Sequence, residues 1–253
     1  MKKLVFFLVF VVFFAGCATY YNPITGKPET TIYTLQDEIE LGMALDNKLC
    51  KEFKIVENPE LIFNGFNQIC SLVAQHSDRR NLKFTFRVIE NKEVNAFSVP
   101  GGFVYVYTGL LKQIDSPDEL ACVVGHEIGH ICNRDGIHQI EKQLLYSIPS
   151  NILFGSGRQK ALQQVADTVF TLSMLSYSRS QEIQADTLGM KYAFQAGFNP
   201  SGMVAFFKKM EELEKNQPLI PLTFLRDHPD TKERIKNAEQ VIGQLKSQKQ
   251  DIQ

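Results

Sequence analysis

Charge of one sign is what this sequence most lacks. Its 27 basic residues are set against 28 acidic ones, a formal charge of -1, and apart from Lys2-Lys3 no dense Lys/Arg run breaks the balance. Electrostatic binding to nucleic acid therefore has no footprint, and no nucleic-acid partner is expected. Long apolar runs are missing too. The longest, Leu4 to Ala15, falls short of the ~20 residues that span a bilayer. The stretch Leu144 to Phe154 is broken by Ser147, Pro149, Ser150 and Asn151, so a covering loop or lid over 144–158 is the better reading than a membrane span. Internal repeats and low-complexity tracts are absent, which excludes a solenoid. With 44% apolar and 22% charged residues over 253 positions, what remains is an ordinary globular chain with one compact domain.

The amino terminus departs from this average. Lys2-Lys3, the apolar run and then Gly16-Cys17 form the pattern of a secretory signal over residues 1–16. Small residues before a cysteine resemble the lipid-attachment box of bacterial lipoproteins, so Cys17 is the expected lipidated terminus and residues 17–33 its tether, free or as a surface-hugging arm. Phe14 stands where that box usually has Leu, which keeps an uncleaved anchor as the alternative. Either route exports the domain and attaches it to a membrane. Without Lys2 and Lys3, 25 basic residues face 28 acidic ones, so no polybasic second signal remains. No Asp follows Cys17, and in an enteric-type envelope that pattern favours the outer membrane.

Four more cysteines, Cys50, Cys70, Cys122 and Cys132, would meet an oxidising compartment. On one helix over 117–133, Cys122 and Cys132 would lie roughly 15 Å apart, beyond the ~7 Å that a disulfide bridges. Cys50 with Cys70 is then the simplest pair, and four buried thiols the alternative.

From Thr34 onward, a domain over 34–253 is expected. Leu35, Ile39, Leu41, Leu45 and Leu49 give a helical stripe with Thr34 as cap, and a second helix follows Asn58-Pro59 to about His76. Leu82, Phe84, Phe86 and Val88 alternate as in a half-buried strand. Asn95–Val99 and Phe103–Thr108 read as strands around Pro100-Gly101-Gly102, with Tyr105 and Tyr107 on one face and Val104 and Val106 on the other. Ser116-Pro117-Asp118-Glu119 starts a helix reaching about Asn133. Helical patterns return at 159–176, at about 178–196, after Asn199-Pro200 and after His228-Pro229.

The chemistry lies in His126-Glu127-Ile128-Gly129-His130. A four-residue step on a helix puts both imidazoles on one face, where they can share a metal ion. Ala121, Val123, Val124, Ile128 and Ile131 would bury them, and unpaired they would be costly there. Gly125 and Gly129 weaken a helix, which implies that a ligand or another backbone comes close. A catalytic zinc needs a third protein ligand. Glu182 and Asp186, one turn apart, supply it: Glu182 for the metal, Asp186 for the other ring nitrogen of a ligand histidine.

These motifs resemble the M forty-eight zinc metallopeptidases, of the HtpX, BepA and LoiP type. The resemblance covers Asn22-Pro23-Ile24-Thr25-Gly26, the Asn95-Ala96-Phe97 to Gly109-Leu110-Leu111 hairpin, the HExxH helix, Ser178-Arg179 through Asp186, and His228-Pro229 leading to Arg234-Ile235. It implies an α+β, mostly helical zincin-like (gluzincin) fold with a small antiparallel or mixed sheet, and one zinc per chain on His126, His130 and Glu182. It also implies Glu127 as catalytic base, His228 as oxyanion donor, and Asn95 and Ala96 on the strand that borders the substrate cleft. A His before Pro at a helix start can equally be a cap, and His228 can instead occupy the open zinc position in a resting state. In size and anchor the chain looks most like the short LoiP-type lipoproteins. The implied partners are unfolded or misassembled envelope polypeptides. A zinc-dependent chaperone with weak or latent peptidase activity and a structural lipoprotein with a vestigial site are the rival readings.

Overall fold

A computed structural model of the chain describes residues 18–22, 25–144, 165–167, 177–216, 221–228 and 231–250. The expected signal, Cys17 and nearly all of the 144–158 and 159–176 segments lie outside them.

Residues 18–22 and 25–33 lie in the stretch expected as a tether or surface-hugging arm. Strands β1 (Ala18–Tyr21) and β2 (Pro28–Thr31) pair antiparallel as a ribbon that hugs the body. Helix α1 (Leu35–Glu52) follows, closed by a capping box in which Thr34 and Asp37 satisfy each other's backbone N–H groups. The helix expected after Asn58-Pro59 is split. A 3₁₀ turn (Pro59–Leu61) comes first, and α2 (Phe66–Gln75) starts only after Gly65, whose φ of 81° interrupts any helix.

Strands β3 (Thr85–Ile89), β4 (Ala96–Val99) and β5 (Phe103–Tyr107) form a mixed sheet of order β3-β5-β4, with β3 parallel and β4 antiparallel to β5. β3 starts three residues later than its alternation suggests, because its partner begins at Phe103, opposite Thr85, and the preceding Pro100-Gly101-Gly102 turn bends away after the Gly102 carbonyl has accepted from the Thr85 N–H at 2.8 Å. Val88, Val104 and Val106 face the main core, while Ile89, Tyr105 and Tyr107 pack with Leu49 of α1 on the other side.

After the short α3 (Thr108–Leu111) comes α4 (Pro117–Asn133), with Ser116 accepting from the Glu119 N–H as expected. Every residue from Glu119 to Asn133 is buried. Such a helix, apolar on nearly every side, can only be a central one. Around it stand α5 (Asp135–Leu144), α6 (Arg179–Gln195), α7 (Ser201–Asn216), the short α8 (Thr223–Asp227) and α9 (Thr231–Gln250).

The proposed Cys50–Cys70 bridge is not formed: all four cysteines are free. Cys70 is wholly buried in the main core, whereas the Cys50 thiol turns to Asp46 Oδ1 at 3.7 Å on its own helix. Cys122 and Cys132 are buried in α4, so three of the four behave as small apolar groups.

Candidate metal centre

The site begins with two glycines. A Cβ on Gly125 would lie 2.6 Å from the Gly189 carbonyl oxygen, and one on Gly129 would lie 2.8 Å from that of Ala185. The close neighbour is therefore the backbone of α6, and only glycine lets the two helices approach so nearly. Glu182 and Asp186 lie on the same helix, so the glycine seam delivers both acids to the two histidines.

His126 and His130 each use Nδ1 against a carboxylate. His126 meets Asp186 Oδ1 at 2.8 Å, and His130 meets Asp135 Oδ2 at 2.8 Å. A carboxylate only accepts there, so both rings carry their proton on Nδ1 and present bare Nε2 lone pairs. These face each other at 3.0 Å, with Glu182 oxygens at 3.5 Å from His126 Nε2 and 3.6 Å from His130 Nε2. Lone pairs aimed at one another beside a carboxylate repel unless a cation joins them.

His228 completes the set. Its Nδ1 lies 3.0 Å from Glu182 Oε1 and 3.2 Å from His126 Nε2. His126, His130, Glu182 and His228 offer ligand atoms that all fall within 4.8 Å of one another, and all four residues are buried. A tetrahedron with metal–ligand bonds of about 2.1 Å has edges of about 3.4 Å, close to these separations. Two or three imidazoles and one carboxylate are also donors that zinc favours.

Electrostatics sharpen the picture. Burial first, then the facing His130 and Arg234, hold the His126 pKa well below its ordinary value, so its ring is neutral as a metal ligand must be. Burial works to raise the Glu182 pKa, yet His228, hydrogen-bonded to it, holds the carboxyl far below the carboxylate range. Burial opposes charge on His228, but the carboxylates of Glu182 and Glu127 lift its pKa to about 9. Glu127 stands apart: fully buried, with neither oxygen hydrogen-bonded, its pKa raised by that burial.

Three groups in the site were not singled out from the sequence. Asp135 reaches His130 from just beyond the end of α4 and accepts from Gln181 Nε2 at 2.9 Å. Arg234 forks onto Asp186 with two bonds of 2.7 Å, lies 3.1 Å from Glu182 Oε2 and donates to the His228 carbonyl at 2.9 Å. Its only sequence signal was its place behind His228-Pro229. Tyr177 stacks on the His130 ring with centroids 4.1 Å apart.

Asn95 and Ala96 lie at the start of β4 and are fully buried. The Asn95 amide donates to Asp227 Oδ2 at 3.0 Å, while its Oδ1 has no partner. Their side chains do not join the metal cluster.

A buried HExxH helix meeting an ExxxD helix and a third histidine invites comparison with known proteins. Residues 63–242 match the description Peptidase family M48. The chain belongs to that family. Peptidase family M48 is a family of zinc metallopeptidases, and the His/Glu cluster described above fits the metal. The chain is 27% identical over 231 residues to a putative beta-barrel assembly-enhancing protease of Vibrio cholerae, covering 88% of this chain and 47% of that one. It is 29% identical over 205 residues to the mitochondrial metalloendopeptidase OMA1 of Arabidopsis thaliana, covering 79% and 41%. To the beta-barrel assembly-enhancing protease of Escherichia coli it is 24% identical over 233 residues, covering 88% and 47%. The chain thus spans about half the length of these curated relatives. Among the described residues no helix is long and apolar enough to cross a membrane.

Proposed function

We propose that the protein is a zinc-dependent endopeptidase that cleaves unfolded or misassembled polypeptides of a bacterial cell envelope, held at the membrane through Cys17. The observation that carries the reading is the buried His126–His130–Glu182 set with a carboxylate free of hydrogen bonds, Glu127, beside it. When bound, zinc supplies a Lewis acid for the scissile carbonyl and makes water acidic enough to attack. Glu127 takes the proton of the attacking water and passes it to the leaving amine, and its raised pKa suits both transfers. His228, with Nε2 3.7 Å from Glu127 Oε1, is placed to donate to the developing oxyanion once it leaves Glu182. β4 is an edge strand, so an extended peptide can add to it through backbone hydrogen bonds from Ala96 onward.

One observation favours a second reading, a zinc-dependent assembly factor with latent peptidase activity. His228 lies inside the ligand cluster, where it would fill the position that substrate or water needs.

Zinc content and casein hydrolysis, wild type beside Glu127→Gln, separate the readings. Stoichiometric zinc in both with hydrolysis by the wild type alone, the variant falling at least a hundredfold, supports the peptidase. Zinc in both with no hydrolysis in either supports the latent form. Membrane attachment has its own test: Cys17→Ala should move the protein from the membrane to the soluble fraction, and retention would favour an uncleaved anchor.

A further inference from the structure

We infer that the N-terminal ribbon and its link to α1, residues 18–22 and 25–34, act on the metal centre, with Arg134 as the positioning residue through which they do so. The inference rests on the zinc reading above. It starts from one backbone angle: Arg134 has φ 57°, alone among the described non-glycine residues in being left-handed. L side chains rarely adopt that conformation, and it persists where the surroundings enforce it. Here it ends α4 and turns the chain so that the next residue, Asp135, reaches back to His130 Nδ1.

The ribbon supplies much of that enforcement. Arg134 Nη2 donates to the Tyr33 carbonyl at 2.8 Å, its Nε lies 3.0 Å from Glu38 Oε2, and its guanidinium sits 5.0 Å over the Tyr20 ring. The Tyr20 hydroxyl donates to the Asn133 carbonyl at 2.9 Å, capping a helix-end oxygen that has no partner within α4. Beyond the turn, Glu141 of α5 accepts from the Ile32 N–H at 2.8 Å and from the Thr31 hydroxyl. The ribbon therefore grips the chain on both sides of Arg134, although its residues precede the family match at 63–242.

A ribbon that merely stabilised the fold would, when loosened, lower the melting temperature and leave the zinc affinity of the folded protein alone. The chain Arg134 to Asp135 to His130 makes a different demand, that zinc affinity itself falls.

Zinc dissociation constants, measured by chelator competition on the full chain, test this with Arg134→Gly, Asp135→Asn and the double variant. Glycine accepts the left-handed angle but removes the grip. Each single change should weaken zinc binding about tenfold or more, and the double should be no weaker than Asp135→Asn alone, because both act on one ring. Arg87→Met, which breaks an ion pair elsewhere, should lower the melting temperature without this loss. Should Arg134→Gly not fold, Tyr20→Phe keeps the ring, removes the hydroxyl, and should still weaken zinc several-fold. Wild-type affinity in the folded Arg134 or Tyr20 variant, losses that multiply in the double, or an equal loss in Arg87→Met would each overturn the inference while leaving the zinc reading intact. A wild type that holds no zinc would overturn both.

Discussion

Glu127 is the carboxylate around His126 that the fold leaves without a hydrogen bond, with His228 Nε2 facing it only at 3.7 Å. Glu182 and Asp186 are met by His228 and by Arg234 respectively, and Asp135 by His130 and Gln181. A buried polar group left unpaired costs stability, about 1 to 3 kcal/mol, so the fold tolerates a local penalty at the atom that handles the proton. Asp186 differs, since it serves His126 on one side and Arg234 on the other. Asp186→Asn presents an N–H where one of those two needs an acceptor, and we expect zinc affinity to fall roughly ten- to a hundredfold. Unchanged affinity in a metal titration would show that Asp186 does not orient His126. The residues legible in the sequence were those whose spacing alone implies a shared face: His126 with His130, and Glu182 with Asp186. Asp135 was not, because it reaches His130 only through a left-handed turn at a residue that gives no sign of one. Arg234 was not, because its partners sit on a helix nearly fifty residues earlier in the chain.

Helix α4 owes its place to how closely α6 lies against it. The contact is reciprocal: a Cβ on Gly189 would come within 2.5 Å of the His126 backbone nitrogen. Backbone cannot yield as the end of a flexible side chain can. Gly125→Ala should therefore push α6 outward, lower stability by about 1 to 3 kcal/mol and weaken zinc, because Glu182 travels with that helix. Thermal melts with and without chelator measure both effects, and a variant as stable and as zinc-replete as wild type would show that the seam has slack. The amphipathic helices and the hairpin faces were readable from periodicity, and so was the Ser116 cap. Boundaries governed by a partner were not. The start of β3 is set by where β5 begins, and the split before α2 by a backbone angle at Gly65.

Across the whole molecule a second polar cluster, separate from the His/Glu cluster, joins α1 to the sheet. Asp46 accepts from Arg87 Nε at 2.6 Å and Nη2 at 2.7 Å, and from the Tyr105 hydroxyl at 2.7 Å. Burial would raise the Asp46 pKa, but these bonds hold it below the ordinary carboxylate value. A carboxyl depressed on folding contributes stability that is present above its unfolded pKa, about 3.9, and lost as the pH falls through the folded value. Arg87→Met should therefore lower the urea midpoint most at neutral pH, the gap to wild type closing as the pH drops below about 4. A gap that stayed constant down to pH 3 would mean that the charge on Asp46 contributes nothing. Denaturant curves at a series of pH values read this directly.

The metal centre is also a matter of connectivity. Its groups come from three stretches of chain, residues 126–135, 177–186 and 228–234, that are remote in sequence and carried on separate elements. An ion held by His126, His130 and Glu182 would cross-link the first two, closing in the folded state a long loop that the unfolded chain would have to close against its own entropy. Metal loading then governs more than the chemistry of the cleft. It would also strengthen the hold of α6 on α4, so a chain starved of zinc would be the looser along the glycine seam.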